Sequence, residues 1–223
     1  MAYSDCWSDV LRAKYLTSLV LFHDYRKGLV SPGLDRFART AVLANNNIQS
    51  GVPGKAVVSR TGGYVSVADG GIAPELSLPT AGTIIVFLRA GGWPFDGGKR
   101  IAYKVTGAAG YDFYIGNTVQ LVLIATGGSV EVVGNGLTNS VSLGVSWTSG
   151  AVPRFYGNGV FRSVGSVAVS APAETSTLYI GCATGPSLPI PPPMQSFLIF
   201  NEQLTGAEIS QLHSDFMESA HYL

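Results

Sequence analysis

The sequence predicts an all-β sandwich of two antiparallel sheets, with a short helix ahead of it and one helix closing it. Three observations carry this. From Ile101 to Trp147, short apolar segments recur at sandwich spacing, each bounded by glycine or asparagine turns. Hydrophobic residues make up 46% of the 223-residue chain and charged residues 13%, about half the usual charged share. Thr205 and Glu208 stand at the spacing of a capping box, directly after the apolar run Phe197 to Phe200.

Taken in order, residues 4 to 15 place Trp7, Val10, Leu11 and Tyr15 at helix-like intervals after Ser4, an amphipathic segment whose apolar side needs a partner. Leu16 to Phe22 reads as a strand. Residues 26 to 47 carry Gly28, Pro32, Gly33 and three successive asparagines, which is irregular loop chemistry. Residues 55 to 59 and 64 to 67 read as two strands across the Gly62-Gly63 turn. A strand over 82 to 88 precedes a glycine-framed loop, residues 91 to 98, with Trp93 and Phe95 at its tip.

Strands follow over 101–105, 111–115, 119–125, 129–133 and 140–147. Between Thr106 and Pro153 only Asp112 and Glu131 are charged, so these strands build the core. Alternation within 111–115 turns Tyr111, Phe113 and Ile115 to one face, read as core, and Asp112 and Tyr114 to the other. Asn158-Gly159 marks a hairpin, since both residues tolerate the positive φ of a type I′ turn. The run Pro186 to Pro193 is stiff and extended, and reads either as a rigid spacer into the final strand or as a docking arm that projects Leu188 and Ile190. A helix starts at Thr205, with Leu204 before the cap and Ile209, Leu212 and Phe216 forming one apolar stripe.

Four of these segments resemble, in order, the LamG-like, concanavalin A-like jelly-roll family. They are Gly54 to Val67, Gly82 to Leu88, the hairpin Pro153 to Phe161 with the Leu178-Tyr179-Ile180-Gly181 strand, and the closing strand, turn and helix from Met194 to Ile209. The family's usual tryptophan in the long central strand is replaced by Phe87. The resemblance implies one jelly-roll sandwich over residues 16 to 223, with residues 1 to 15 as an appended docking segment.

Much chemistry is missing. Glycosidases of this fold need two carboxylates facing one sugar bond, and no Glu-x-Asp-x-x-Glu string occurs. There is no Gly-x-Ser-x-Gly elbow and no phosphate loop. Cys6 and Cys182 are too few and too far apart for a disulfide framework or a zinc site, and are read as free thiols. His213 and His221 are eight positions apart, too far for a metal pair. Structural calcium, common in the family, would draw on Asp69, Glu75, Asp96 and Asn117, but Gln195 and Ser196 replace the family's acidic pair before the terminal strand. No cofactor is expected.

Net charge is zero, which gives no field for nucleic acid or an anionic membrane. All fourteen basic residues lie at or before Arg162, and Glu174, Glu202, Glu208, Asp215 and Glu218 follow unopposed. Such an asymmetry supplies complementary patches between neighbouring copies. The amino terminus lacks a basic-then-apolar run, so a soluble protein made in a host cytoplasm and located in a virion is expected.

Free-standing LamG-like domains of this type resemble modules of tailed-bacteriophage virions. The expected function is a non-enzymatic virion structural protein, most plausibly a homo-oligomeric capsid decoration protein bound to the major capsid protein. The alternative is a carbohydrate-binding receptor module of a tail or tail fibre. The residues expected to meet a partner are Trp7, Val10, Leu11, Tyr15, Trp93, Phe95, Leu188 and Ile190.

Overall fold

A computed structural model describes residues 15, 17–24, 41–44, 64–67, 74–88, 98–116, 121–125, 128–132, 141–183 and 194–221. Its strands are β1 (Leu19–Asp24), β2 (Ala41–Ala44), β3 (Tyr64–Val67), β4 (Ala81–Leu88), β5 (Lys99–Thr106), β6 (Ala109–Ile115) and β7 (Leu121–Ala125). They continue with β8 (Gly128–Val132), β9 (Ser142–Thr148), β10 (Arg154–Gly157), β11 (Val160–Val164), β12 (Leu178–Ile180) and β13 (Met194–Phe200), and helix α1 (Gly206–His221) closes the chain. A 3-10 turn spans Pro74–Ser77. Strand β2 corrects the loop reading of residues 26 to 47, since Ala41–Ala44 pairs along β3. Residues 4 to 14 and 55 to 59, where a helix and a strand are expected, lie outside the described residues.

The strands form two antiparallel sheets. One has six strands in the order β1-β13-β4-β9-β10-β11, the other seven in the order β2-β3-β12-β5-β6-β7-β8. Strands distant in sequence lie side by side, β1 with β13 and β3 with β12, so the sheets close only when most of the chain has been laid down.

The six-stranded sheet is apolar on both faces. Ile84, Val86, Leu88, Phe197 and Ile199 point into the cluster between the sheets, while Ile85, Phe87, Leu198 and Phe200 point outward. Alternation along β4 and β13 accounts for this, and it explains why both strands read as unbroken apolar runs rather than as alternating ones. Helix α1 covers the outward set. Its Ile209, Leu212 and Phe216 are buried there with Leu204, and Phe216 stacks on Phe87 with ring centroids 3.9 Å apart. The register irregularity between Leu19 and Leu21 turns both Val20 and Leu21 inward, leaving Leu19 and Phe22 for the helix side.

The predicted cap is present. The Thr205 amide donates to Glu208 Oε2 at 2.8 Å and the Glu208 amide donates to Thr205 Oγ1 at 3.3 Å. The predicted hairpin is present too, with φ of 54° at Asn158 and 73° at Gly159. Gly159 also has to be small, because a Cβ there would lie 2.7 Å from His213 Cβ on α1. At the sheet interface, a Cβ on Gly82 would lie 2.6 Å from Trp147 Cζ2, so the absent side chain leaves the space that the indole fills.

One ion pair crosses the interior. Lys104 on β5 is fully buried and its Nζ pairs with Glu174 Oε1, while also donating to the carbonyls of Glu174 at 3.2 Å and Ser176 at 2.9 Å. All three ammonium protons thus have acceptors. Glu174 Oε2 accepts from the Ser176 amide at 2.6 Å and from Thr106 Oγ1 at 3.1 Å. Ser77 Oγ donates to the Glu174 carbonyl at 2.7 Å, which ties the 3-10 turn to the same point. Burial pushes the Glu174 carboxyl up, but Lys104 and the Ser176 amide outweigh it and hold the group below the usual carboxylate range. Its contribution to stability is therefore present above that range and is lost as pH falls through the lowered value.

Two outcomes follow from this packing. Thr205→Ala should cost about 1 kcal/mol and speed amide exchange over the first turns of α1, and unchanged exchange there would refute the cap. Lys104→Met should cost about 3–5 kcal/mol at neutral pH, the penalty of stranding a buried carboxylate, and the loss should shrink in acid as Glu174 takes a proton. Urea denaturation across pH measures both terms.

Candidate ligand-binding face

The inner face of the seven-stranded sheet is core, occupied by Val65, Val67, Leu178, Ile180, Ala102, Tyr111, Phe113 and Leu123. Alternation therefore sends their neighbours to the outer face. Tyr64 and Ser66 come from β3, Tyr179 from β12, Arg100 and Tyr103 from β5, and Asp112 and Tyr114 from β6. Arg100 and Tyr103 share a face despite an odd separation because the β5–β6 register shifts between Arg100 and Ala102.

Register lines these residues up across the strands. Ser66 lies opposite Tyr179, Tyr179 opposite Tyr103, and Tyr103 opposite Asp112, with Arg100 opposite Tyr114 in the next row. The Tyr64 and Tyr179 rings sit 5.8 Å apart at 54°. The Arg100 guanidinium lies 4.1 Å above the Tyr114 ring, its Nε is 2.9 Å from Asp112 Oδ2, and its Nη1 donates to the Gly98 carbonyl at 2.9 Å. The four tyrosines and Arg100 are half-buried, and Asp112 is buried beneath the guanidinium.

Arg100 is thus held on three sides, by a ring face, a carboxylate and a carbonyl. Burial pushes the Asp112 carboxyl up to about 6, the Arg100 charge opposing it without cancelling it. Its second oxygen, Oδ1, has no hydrogen-bond partner among the described residues. The result is a row of half-buried tyrosines beside one anchored cation, groups that can stack on an apolar ring face and donate to oxygen acceptors.

The sequence placed Tyr111 and Phe113 in the core and Asp112 and Tyr114 opposite them, as the structure does. It did not single out Arg100, Tyr64 or Tyr179. Alternation within Tyr64-Val65-Ser66-Val67 and Leu178-Tyr179-Ile180 carried the signal for both tyrosines, but nothing in the sequence said that β12 lies between β3 and β5. Of the residues expected to meet a partner, Tyr15 is buried at 3% exposure with its ring 5.2 Å from Phe200. It packs on its own sandwich beside α1, where a second chain was expected. Trp7, Val10, Leu11, Trp93, Phe95, Leu188 and Ile190 lie outside the described residues.

Cys182 is a buried free thiol that donates to the Ala183 carbonyl, and burial pushes it up to about 12, away from thiolate chemistry. Among the described residues no group of three His, Cys, Asp or Glu side chains is placed to hold a metal ion, and no helix is long and apolar enough to cross a membrane.

No family model matches the chain, and no curated protein matches it by sequence. Solved structures do match it. One is botulinum neurotoxin type C, which enters cells in dependence on interaction with two ganglioside molecules (TM-score 0.64, 18% identity, 91% of this chain and 52% of that one). Others are the receptor-binding domain of the C/D mosaic serotype (0.63, 12%, 88% and 51%) and the serotype C1 binding domain (0.62, 17%, 88% and 51%). At these identities the likeness is one of fold, and this chain spans about half the length of the chains it matches.

The raised Asp112 carboxyl has a measurable consequence. The folded state holds this proton more tightly than the unfolded chain, whose ordinary value is 3.8. Stability therefore falls as pH rises from about 4 to about 6, by about 3 kcal/mol in total. In Asp112→Asn that slope should vanish, while the Glu174 contribution cancels between variant and parent. A difference in unfolding free energy that stays constant from pH 4 to 7 would refute it.

Proposed function

We propose that this chain is a non-enzymatic, lectin-like module that binds a glycan on the outer face of the seven-stranded sheet. The carrying observation is the row Tyr179, Tyr103 and Asp112 across three adjoining strands, with Arg100 clamped beside it on Tyr114. Tyr103 and Tyr179 supply the stacking platform and Arg100 donates to sugar oxygens. Asp112 positions Arg100 from below. The ganglioside dependence of a toxin with the same fold supports a sugar as the ligand class.

Two observations favour binding over turnover. Hydrolysis of a glycosidic bond needs two carboxylates facing it, yet Asp112 is buried under Arg100. Glu131 lies on β8, with β7 between its strand and that of Asp112.

The finer placement rests on the sequence resemblance. The module belongs to a bacteriophage particle, as a tail receptor domain or a capsid decoration subunit, and residues 1 to 14 form a docking segment toward its virion partner, the major capsid protein in the second case.

A glycan array with the purified chain tests the main reading. Binding to a defined glycan class is expected, and Tyr103→Ala, Tyr179→Ala and Arg100→Ala should each weaken it about 30-fold, the effect of losing a residue worth about 2 kcal/mol. Absence of binding, or binding indifferent to all three substitutions, would overturn it.

A further inference from the structure

Arg100 and Asp112 are an unevenly matched pair. Asp112 is 4% exposed and meets one charged partner, Arg100, whose Nε lies 2.9 Å from Oδ2, while Oδ1 has no hydrogen-bond partner among the described residues. The Arg100 side chain is the more open of the two, at 18% exposure, with the Tyr114 ring against its guanidinium and Nη1 on the Gly98 carbonyl. Its Nη2 has no acceptor among the described residues. A rigidly held guanidinium with one nitrogen unused suits a planar carboxylate better than it suits a hydroxyl.

A buried carboxylate with a single charged partner and one orphaned oxygen is poorly held as an anion. A proton on Oδ1 leaves Oδ2 beside Nε, so Arg100 keeps its contacts in both states. The pair carries no net charge when Asp112 is ionised and one positive charge when it is neutral. Among the described residues, the titratable side chains on the two strands are Lys99, Arg100, Tyr103 and Lys104 on β5 and Tyr111 and Tyr114 beside Asp112 on β6, while β7 brings none. Lys104 is buried with Glu174, Lys99 lies at the start of β5 opposite Ile115, and Tyr111 turns to the core. Glu131 lies beyond β7. The charge that meets Asp112 is therefore that of Arg100.

Resting on the glycan-binding reading of this face, we propose that the sugar it takes bears a carboxylate and that Asp112 is a proton-operated counter-ion. Ionised, Asp112 offsets the Arg100 charge and repels the ligand's carboxylate; neutral, it leaves that charge to the ligand. Burial pushes the Asp112 carboxyl up to about 6, which puts the change between neutral and mildly acidic surroundings. A sugar carboxylate, titrating like an α-carboxyl at about 3.5, stays ionised across that window. Affinity for the acidic ligand thus rises as pH falls through the Asp112 midpoint, and affinity for a neutral sugar stays level. By linkage, the bound anion tightens the hold of Asp112 on its proton by the same factor.

A glycan array read with the full chain at about pH 5 and about pH 7.5, on either side of the Asp112 midpoint, tests this. Carboxylate-bearing glycans should bind about tenfold more tightly at the lower pH, and neutral glycans equally at both. Asp112→Asn should bind the acidic glycans at the higher pH as tightly as the parent does at the lower one, with no pH dependence left. His23, His213 and His221 lie on β1 and α1, in or against the other sheet, so this variant isolates Asp112. Carbon-13 NMR of the Asp112 carboxyl in the parent gives a second measurement that does not require the variant to fold. Its titration midpoint should rise by about one pH unit when a carboxylate-bearing glycan saturates the chain, the reciprocal of the tenfold change. Acidic glycans bound equally at both pH values, a pH dependence that persists in Asp112→Asn, or an unmoved Asp112 midpoint would each overturn the proposal. Binding confined to neutral glycans and lost in Tyr103→Ala and Tyr179→Ala would overturn it and leave the glycan reading standing, whereas no glycan bound at either pH would overturn both.

Discussion

The architecture depends on a sheet that must be covered twice. Strands β4 and β13 carry large apolar side chains on both faces, so neither face tolerates water. The seven-stranded sheet covers one face and α1 the other. The helix is consequently part of the core, and its capping box, the Gly159 contact and the Phe87–Phe216 stack all serve to seat it. On the second sheet, the outer face carries the half-buried tyrosines and Arg100.

Two buried carboxylates show how the same burial ends in opposite chemistry. Glu174 meets Lys104, the Ser176 amide and Thr106, and those donors hold it ionised despite desolvation. Asp112 meets Arg100 through one oxygen only, and its proton affinity rises. The first site is a closed bond between sheet, 3-10 turn and the segment before β12. The second fixes the orientation of a cation. A fully satisfied network contributes rigidity, and a partly satisfied one leaves polar capacity for function.

Tyrosines and Arg100 sit in mid-sheet, where strands on both sides hold the backbone in place.

Local signals settled the local elements. The capping box, the Asn158-Gly159 turn, the Tyr111 to Ile115 alternation and the apolar stripe of α1 each depend on residues a few positions apart, and all are found where the sequence put them. Strand β2 was missed because its four residues are flanked by loop-forming chemistry and owe their extension to pairing with β3. The outer-face row was invisible for a related reason. Tyr64, Arg100, Tyr103, Asp112 and Tyr179 come from four strands spread over more than half the chain, and a one-residue bulge at Ile101 decides that Arg100 joins them. The Lys104–Glu174 pair spans 70 positions in the same way. Side-chain periodicity is written into a strand by its own residues, whereas neighbour order and register arise only when distant strands compete for the same hydrogen bonds and the same core.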